Sequence, residues 1–183
     1  MGRGARRHSS SGFLRTGVIA LAVAVCAAPA FADSLSAKDL QIMTKSLGFL
    51  EPPSSSGVIA VVYAGNDASS KSDADGIVAN FGSGLKAGAN DMTATSVAAT
   101  ALGDGSSYVA IIIAAGAPTD GAMAIAKARH IPCMTGVVAL VQSGTCIMAV
   151  MSQPKVSIIV NHAAAEAAGI TFAQAFRMLI KEI

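Results

Sequence analysis

The chain predicts an α/β domain: a mostly parallel open sheet with helices on both faces, followed by a C-terminal antiparallel β-hairpin and two helices. Three observations point there. Val58–Ala64 and Tyr108–Ala114 are unbroken apolar runs rich in β-branched residues, as strands covered on both faces require. Helical segments separate the strand candidates, and this βαβ rhythm builds a parallel sheet through right-handed crossovers. Near the C-terminus, two short apolar runs flank Ser152-Gln153-Pro154-Lys155, which reads as a hairpin turn.

Residues 1–32 read as a cleavable signal peptide and residues 33–183 as one domain. Arg3, Arg6, Arg7 and Arg15 make a basic start, and Val18–Ala28 an apolar middle. Ala30-Phe31-Ala32 gives the small-x-small pattern that leaves Asp33 as the first mature residue. The apolar stretch is shorter than the roughly 20 residues of a membrane span, so no stable membrane insertion is expected after cleavage. A twin-arginine signal is disfavoured because His8–Gly12 separates Arg6-Arg7 from Phe13-Leu14. Lipidation of Cys26 is disfavoured because Val25 precedes it. The expected location is the periplasm of a Gram-negative bacterium.

Of 13 Lys and Arg, four lie in the leader, whereas all 11 Asp and Glu lie beyond it. The mature chain therefore carries nine cationic against 11 acidic side chains, a net charge of −2. With no basic patch and no interleaved aromatics, nucleic-acid binding is not expected. Cys133 and Cys146 remain after cleavage, and an even count in an exported chain reads as one disulfide. Closing a loop of that length stabilises by about 3 kcal/mol in the chain-entropy model.

Along the chain, Ser36 caps a first helix with Asp39 in its first turn, and Leu40, Met43, Leu47 and Leu50 mark its apolar side. Glu51–Gly57 links it to the strand at Val58–Ala64. Gly65-Asn66-Asp67 turns the chain into a helix over about Asp73–Phe81, and Ala89–Val97 is a weaker strand. After Tyr108–Ala114, Thr119 caps a helix to Arg129 that His130-Ile131-Pro132 ends. Ile131–Thr135 reads as a short strand, Gly136–Gly144 as a loop, and Thr145–Met151 with Val156–Val160 as the hairpin. Asn161 caps a short alanine-rich helix stopping at Gly169. Thr171-Phe172-Ala173-Gln174 reads as a capping box for a last amphipathic helix that buries Phe172, Phe176, Leu179, Ile180 and Ile183.

Sites of chemistry are few. No Gly-x-Ser-x-Gly elbow and no phosphate loop occur, and Gly82-Ser83-Gly84 and Gly103-Asp104-Gly105 read as turns. His130 and His162 lack a sequence-local Ser or Asp partner, so an enzyme is not expected and no cofactor is implied. Gly65, Asn66, Asp67, Ser69 and Ser70 follow a strand's carboxyl end and are the candidate lining of a small-ligand crevice. A further alternative is Cu(I) held by His130, Cys133, Cys146 and Met148, since soft sulfur ligands suit that ion. On a regular strand Cys146 and Met148 share a face, but a disulfide would consume both thiolates and methionines commonly fill cores.

The segment Val156-Ser157-Ile158-Ile159-Val160-Asn161-His162-Ala163-Ala164-Ala165-Glu166-Ala167-Ala168-Gly169-Ile170 resembles the closing segment of the YfiR/HmsC-like family of periplasmic proteins. Members end with a strand, Asn, an Ala-rich helical turn, Ala-Gly-Leu and a final amphipathic helix. Gly48-Phe49-Leu50-Glu51-Pro52-Pro53 looks like that family's Phe-x-Glu-Trp-Pro with Pro52 in place of Trp. Gly144-Thr145-Cys146-Ile147-Met148 departs from its Gly-Gly-Met-Ile pattern. The resemblance implies an open α/β sheet and a non-enzymatic role: repression of a membrane-bound diguanylate cyclase, within cyclic di-GMP signalling, through contact with its periplasmic domain. The leading expectation is thus a periplasmic regulator that binds a membrane sensor or cyclase, with a small-ligand-binding or transport component as the alternative.

Overall fold

A computed structural model describes residues 34–183; the leader read over residues 1–32, with Asp33, lies outside the described residues. The first helix, α1 (Ala37–Leu47), forms because Ser36 and Asp39 cap each other. The Ser36 hydroxyl accepts from the Asp39 backbone N–H at 3.3 Å, and Asp39 Oδ2 accepts from the Ser36 backbone N–H at 2.8 Å. Strand β1 (Ser56–Tyr63), helix α2 (Ala68–Phe81), strands β2 (Leu85–Ala87), β3 (Asn90–Ala98) and β4 (Tyr108–Ile113), and helix α3 (Asp120–Arg129) follow. Then come β5 (Cys133–Thr135), α4 (Val138–Gln142), β6 (Met148–Met151), β7 (Ser157–Val160), α5 (His162–Ala167), α6 (Gln174–Arg177) and β8 (Lys181–Glu182).

The eight described strands form one sheet in the order β2-β3-β1-β4-β5-β6-β7-β8. The run β3-β1-β4-β5-β6 is parallel; β2 lies antiparallel to β3, β7 antiparallel to β6, and β8 parallel to β7. The molecule is therefore an open, mostly parallel α/β sheet with a terminal antiparallel hairpin, the predicted class.

The period of two along each strand builds two cores. Ile59 and Val61 of β1 join Ala110 and Ile112 of β4 in one layer, under Leu40, Met43 and Leu47 of α1 and Ile77 and Phe81 of α2. Ala60 and Val62 join Ile111 and Ile113 in the other, under Ala122 and Ala126 of α3 and Val141 of α4. Each fully covered Val, Leu, Ile, Met or Phe among them contributes roughly 1.5–3 kcal/mol of burial, the alanines less. The small alanines let α3 approach the sheet closely.

Several boundaries differ from expectation. Helix α2 begins at Ala68, five residues before Asp73, because Asp67 caps it: its Oδ1 accepts from the backbone N–H of Ser69 at 2.8 Å and of Ser70 at 3.4 Å. The strand β2, after Gly82-Ser83-Gly84, carries too few residues to show periodicity. Thr119 sits at the start of α3 without a side-chain cap bond. The supposed loop 136–144 contains α4, whose Val141 plugs the second core. The hairpin strands are shorter, β6 starting at Met148 and β7 at Ser157.

The last helix is the largest correction. Thr171–Ala173 is extended, because its backbone pairs with the segment after α1. Leu50 and Phe172 form an antiparallel bridge, the Glu51 N–H donates to the Thr171 carbonyl at 2.9 Å, and the Ala173 N–H donates to the Phe49 carbonyl at 2.8 Å. Thr171 therefore opens no capping box, and α6 spans four residues with no side-chain cap. Phe176 stacks on Phe49 with ring centroids 5.2 Å apart and meets Phe172 at 5.1 Å. The chain then leaves the helix to form β8, and Leu179 and Ile183 face outward.

Candidate functional site

Cys133 and Cys146 form a disulfide with Cα atoms 4.8 Å apart. It joins β5 to the approach of β6, where the Ile147 N–H also donates to the Cys133 carbonyl at 3.0 Å. Both sulfurs belong to the second core, whereas Met134 and Met148 belong to the first. The expectation that Cys146 and Met148 share a strand face fails, because the regular pairing of β6 starts only at Met148. His130 caps the C-terminus of α3 in the left-handed region, with φ 55° and ψ 40°. Its Nδ1 lies 2.8 Å from the Ala168 carbonyl. The four residues considered for Cu(I) are thus not gathered: two are joined to each other, one faces the opposite layer, and one is tied to α5. Among the described residues, no cluster of three or more His, Cys, Asp or Glu is arranged to hold a metal.

Gly65, Asn66, Asp67, Ser69 and Ser70 do come together, at the carboxyl end of β1. The chain leaves β1 for β3 on one side and returns to β4 on the other, so they lie where the strand order reverses. Their polar groups face one another. The Ala64 N–H donates to the buried Ser70 Oγ at 3.0 Å, and the Ser69 hydroxyl donates to Asp67 Oδ1 at 2.7 Å. The Ser69 hydroxyl first, then the Ser69 and Ser70 N–H groups, hold the Asp67 carboxyl below its ordinary value. Further along α2, Asp73 Oδ2 accepts from the Ala115 N–H at 2.8 Å, tying that helix to the end of β4; none of the clefts described is lined by Gly65, Asn66, Asp67, Ser69 or Ser70.

The two histidines stand apart. His130 lines a cleft of about 310 Å³ with Glu51, Tyr108, Arg129 and Thr171, at the amino ends of β4 and β5. His162 is exposed and lies 3.2 Å from Glu166 one turn on.

The feature that sequence reasoning missed is the sheet's outer edge. Strand β8 is the outermost on this side, and among the described residues the exposed large apolar side chains all border β7 and β8: Met178 (79%), Leu179 (71%), Val156 (45%) and Ile183 (43%). Arg177 clamps Glu182 bidentately, Nε–Oε1 at 2.7 Å and Nη2–Oε2 at 3.0 Å, fixing α6 against β8. That bond pulls the Glu182 carboxyl below its ordinary value and raises the Arg177 guanidinium. Lys181 and Glu182 fall on the polar side of the helical spacing, so the sequence carries no local signal that marks this edge. No described helix is long and apolar enough to cross a membrane.

No protein-family model matches the chain, and no curated protein matches it. Among solved structures it is similar to the ABC domain in complex with L-Trp from Streptococcus pneumonia, with a TM-score of 0.53 and 14% identity over 79% of this chain and 60% of that one. The chain thus spans about three fifths of that structure, and the likeness is one of fold.

Proposed function

We propose that this chain is an exported, non-enzymatic regulatory domain that acts by docking its β7–β8 edge onto the periplasmic part of a membrane signalling protein. The observation that carries this reading is the collection of Met178, Leu179, Val156 and Ile183 at one edge of the sheet. Elsewhere the described large apolar side chains are covered or half-covered, and contiguous exposed apolar surface on a soluble domain marks an interaction site. An edge strand adds unpaired backbone N–H and C=O groups that a partner can engage. The intramolecular disulfide fits an oxidising compartment. The resemblance of residues 156–170 to YfiR/HmsC-like proteins suggests the partner class, a diguanylate cyclase.

The test is photo-crosslinking in the periplasm, with a benzophenone amino acid placed at Leu179 and, as control, at Lys86 beside the opposite edge. The expected result is a crosslink to a membrane signalling protein from position 179 alone. Equal labelling from both positions, or none from 179, overturns the reading.

A small-ligand-binding role is the second reading, favoured by the position of Gly65–Ser70 at the strand-order reversal and by the L-Trp held by the similar structure. The mutual satisfaction of Asp67, Ser69 and Ser70 weighs against that crevice as the place.

A further inference from the structure

The β7–β8 edge is open along its backbone as well as apolar in its side chains. In the parallel ladder, Lys181 pairs with Ile159 and Glu182 with Val160. The Ile183 N–H donates to the Val160 carbonyl at 2.9 Å, and the Ile183 carbonyl accepts from the His162 N–H at 3.0 Å. Ile183 therefore turns its main-chain groups toward β7. Such groups alternate sides along a strand, so the N–H and carbonyl of Glu182 point outward, away from the sheet. Ile180 continues that side two residues back. Among the described residues, neither its N–H nor its carbonyl has a backbone partner.

The side chains around these open groups add apolar area and one charge. Met178 and Leu179 come before them and Ile183 after. Glu182 is neutralised by Arg177, and Glu166 stands against His162. Lys181, by contrast, is exposed and belongs to none of the described ion pairs.

We infer, on the docking reading given above, that the partner enters this edge as an extended strand. Its backbone pairs with the open groups of Ile180 and Glu182, its apolar side chains cover Leu179 and Ile183, and an acidic residue meets Lys181. A helix spends its own N–H and C=O groups internally. Laid on this edge it would cover the apolar side chains while leaving the open main-chain groups desolvated and unpaired, which is unfavourable. A strand satisfies both sets at once.

The experiment extends the periplasmic crosslinking from a benzophenone amino acid at position 179, with the whole chain expressed. Glu182→Pro removes the outward N–H and keeps the bonds to β7, since proline is tolerated where an edge N–H faces away from the sheet. Glu182→Ala loses the same Arg177 clamp but keeps the N–H, and serves as the reference. The crosslink yield is expected to be about fivefold lower for Glu182→Pro than for Glu182→Ala, as loss of one main-chain hydrogen bond implies. Lys181→Glu is expected to lower it about threefold against the parent by like-charge repulsion.

Where Glu182→Pro fails to fold, the attachment sites decide. Benzophenones at positions 179 and 183 should attach to partner residues about four apart, as a strand alongside requires, whereas a helix of the same reach places them about nine apart. Equal yields from the two Glu182 variants, helical spacing of the sites, an undiminished yield from Lys181→Glu, or a crosslink between two copies of the chain overturns the strand inference and leaves docking to be judged on its own control. No crosslink from position 179 in the parent overturns the docking reading and the strand with it.

Discussion

His130 occupies the space that a side chain at Gly169 would need. A Cβ added to Gly169 would lie 2.6 Å from His130 Nδ1, and Gly169 itself holds φ +67°. The ends of α3 and α5 are thereby interlocked, since the same imidazole bonds the Ala168 carbonyl. Gly169→Ala is expected to lose about 2–3 kcal/mol, combining roughly 1–2 kcal/mol of left-handed strain with the clash. In a His130→Ala background, where the clash is gone, the loss should fall to the strain alone. A double-mutant cycle in urea checks this; equal losses in both backgrounds would refute the contact.

The disulfide gives the second prediction. Replacing Cys133 and Cys146 together by Ala should cost about 3 kcal/mol through the longer reach of the unfolded chain. For a domain of this size that corresponds to a fall of roughly 6–12 °C in Tm. Calorimetry of the double variant measures it, and an unchanged Tm would show that β5 and β6 need no covalent link.

Burial separates function from folding in the third. Met178→Asp, at an exposed side chain of the same edge, should leave stability within about 0.5 kcal/mol of the parent, as exposed substitutions do, yet abolish crosslinking from the benzophenone at position 179 to the membrane partner. Leu40→Ala, in the wholly buried face of α1, should cost about 2–5 kcal/mol. Urea unfolding of both variants beside the crosslinking assay distinguishes the two effects.

Asp67 sets a dependence on pH. Its folded carboxyl titrates below its ordinary value, chiefly through the Ser69 hydroxyl, so its stabilisation is complete above the ordinary carboxylate range. That stabilisation disappears as pH falls through the lowered folded value. Asp67→Ala should therefore lower the urea midpoint at pH 6, and the gap from the parent should narrow below about pH 4. A gap independent of pH would assign the loss to packing instead of the cap.

Legibility tracked how locally each element is determined. The cap at Ser36, the strands read over Val58–Ala64 and Tyr108–Ala114 and the hairpin around Pro154 are each specified within a few residues, and all were readable to within a residue or two. The tail was not. Phe172, Phe176 and Ile180 fit a helical period, but Thr171–Ala173 pairs with Phe49–Glu51, some 120 residues away, and that long-range bridge overrides the local pattern. For the same reason the outward turn of Leu179, and with it the candidate docking edge, was hidden. Cys146 and Met148 fell on different layers because the approach to β6 is irregular, which spacing alone does not reveal.

The bridge between Leu50 and Phe172 also bears on how the protein reaches its native state. Phe49, beside the first helix, finds its stacking partner Phe176 only among the closing residues. A chain delivered N-terminus first thus waits with one of its two hydrophobic layers unsealed until the segment carrying Phe172 and Phe176 has emerged. During that interval Phe49 and Leu50 lack their Phe176 and Phe172 partners, and a variant without residues 171–183 lacks them permanently.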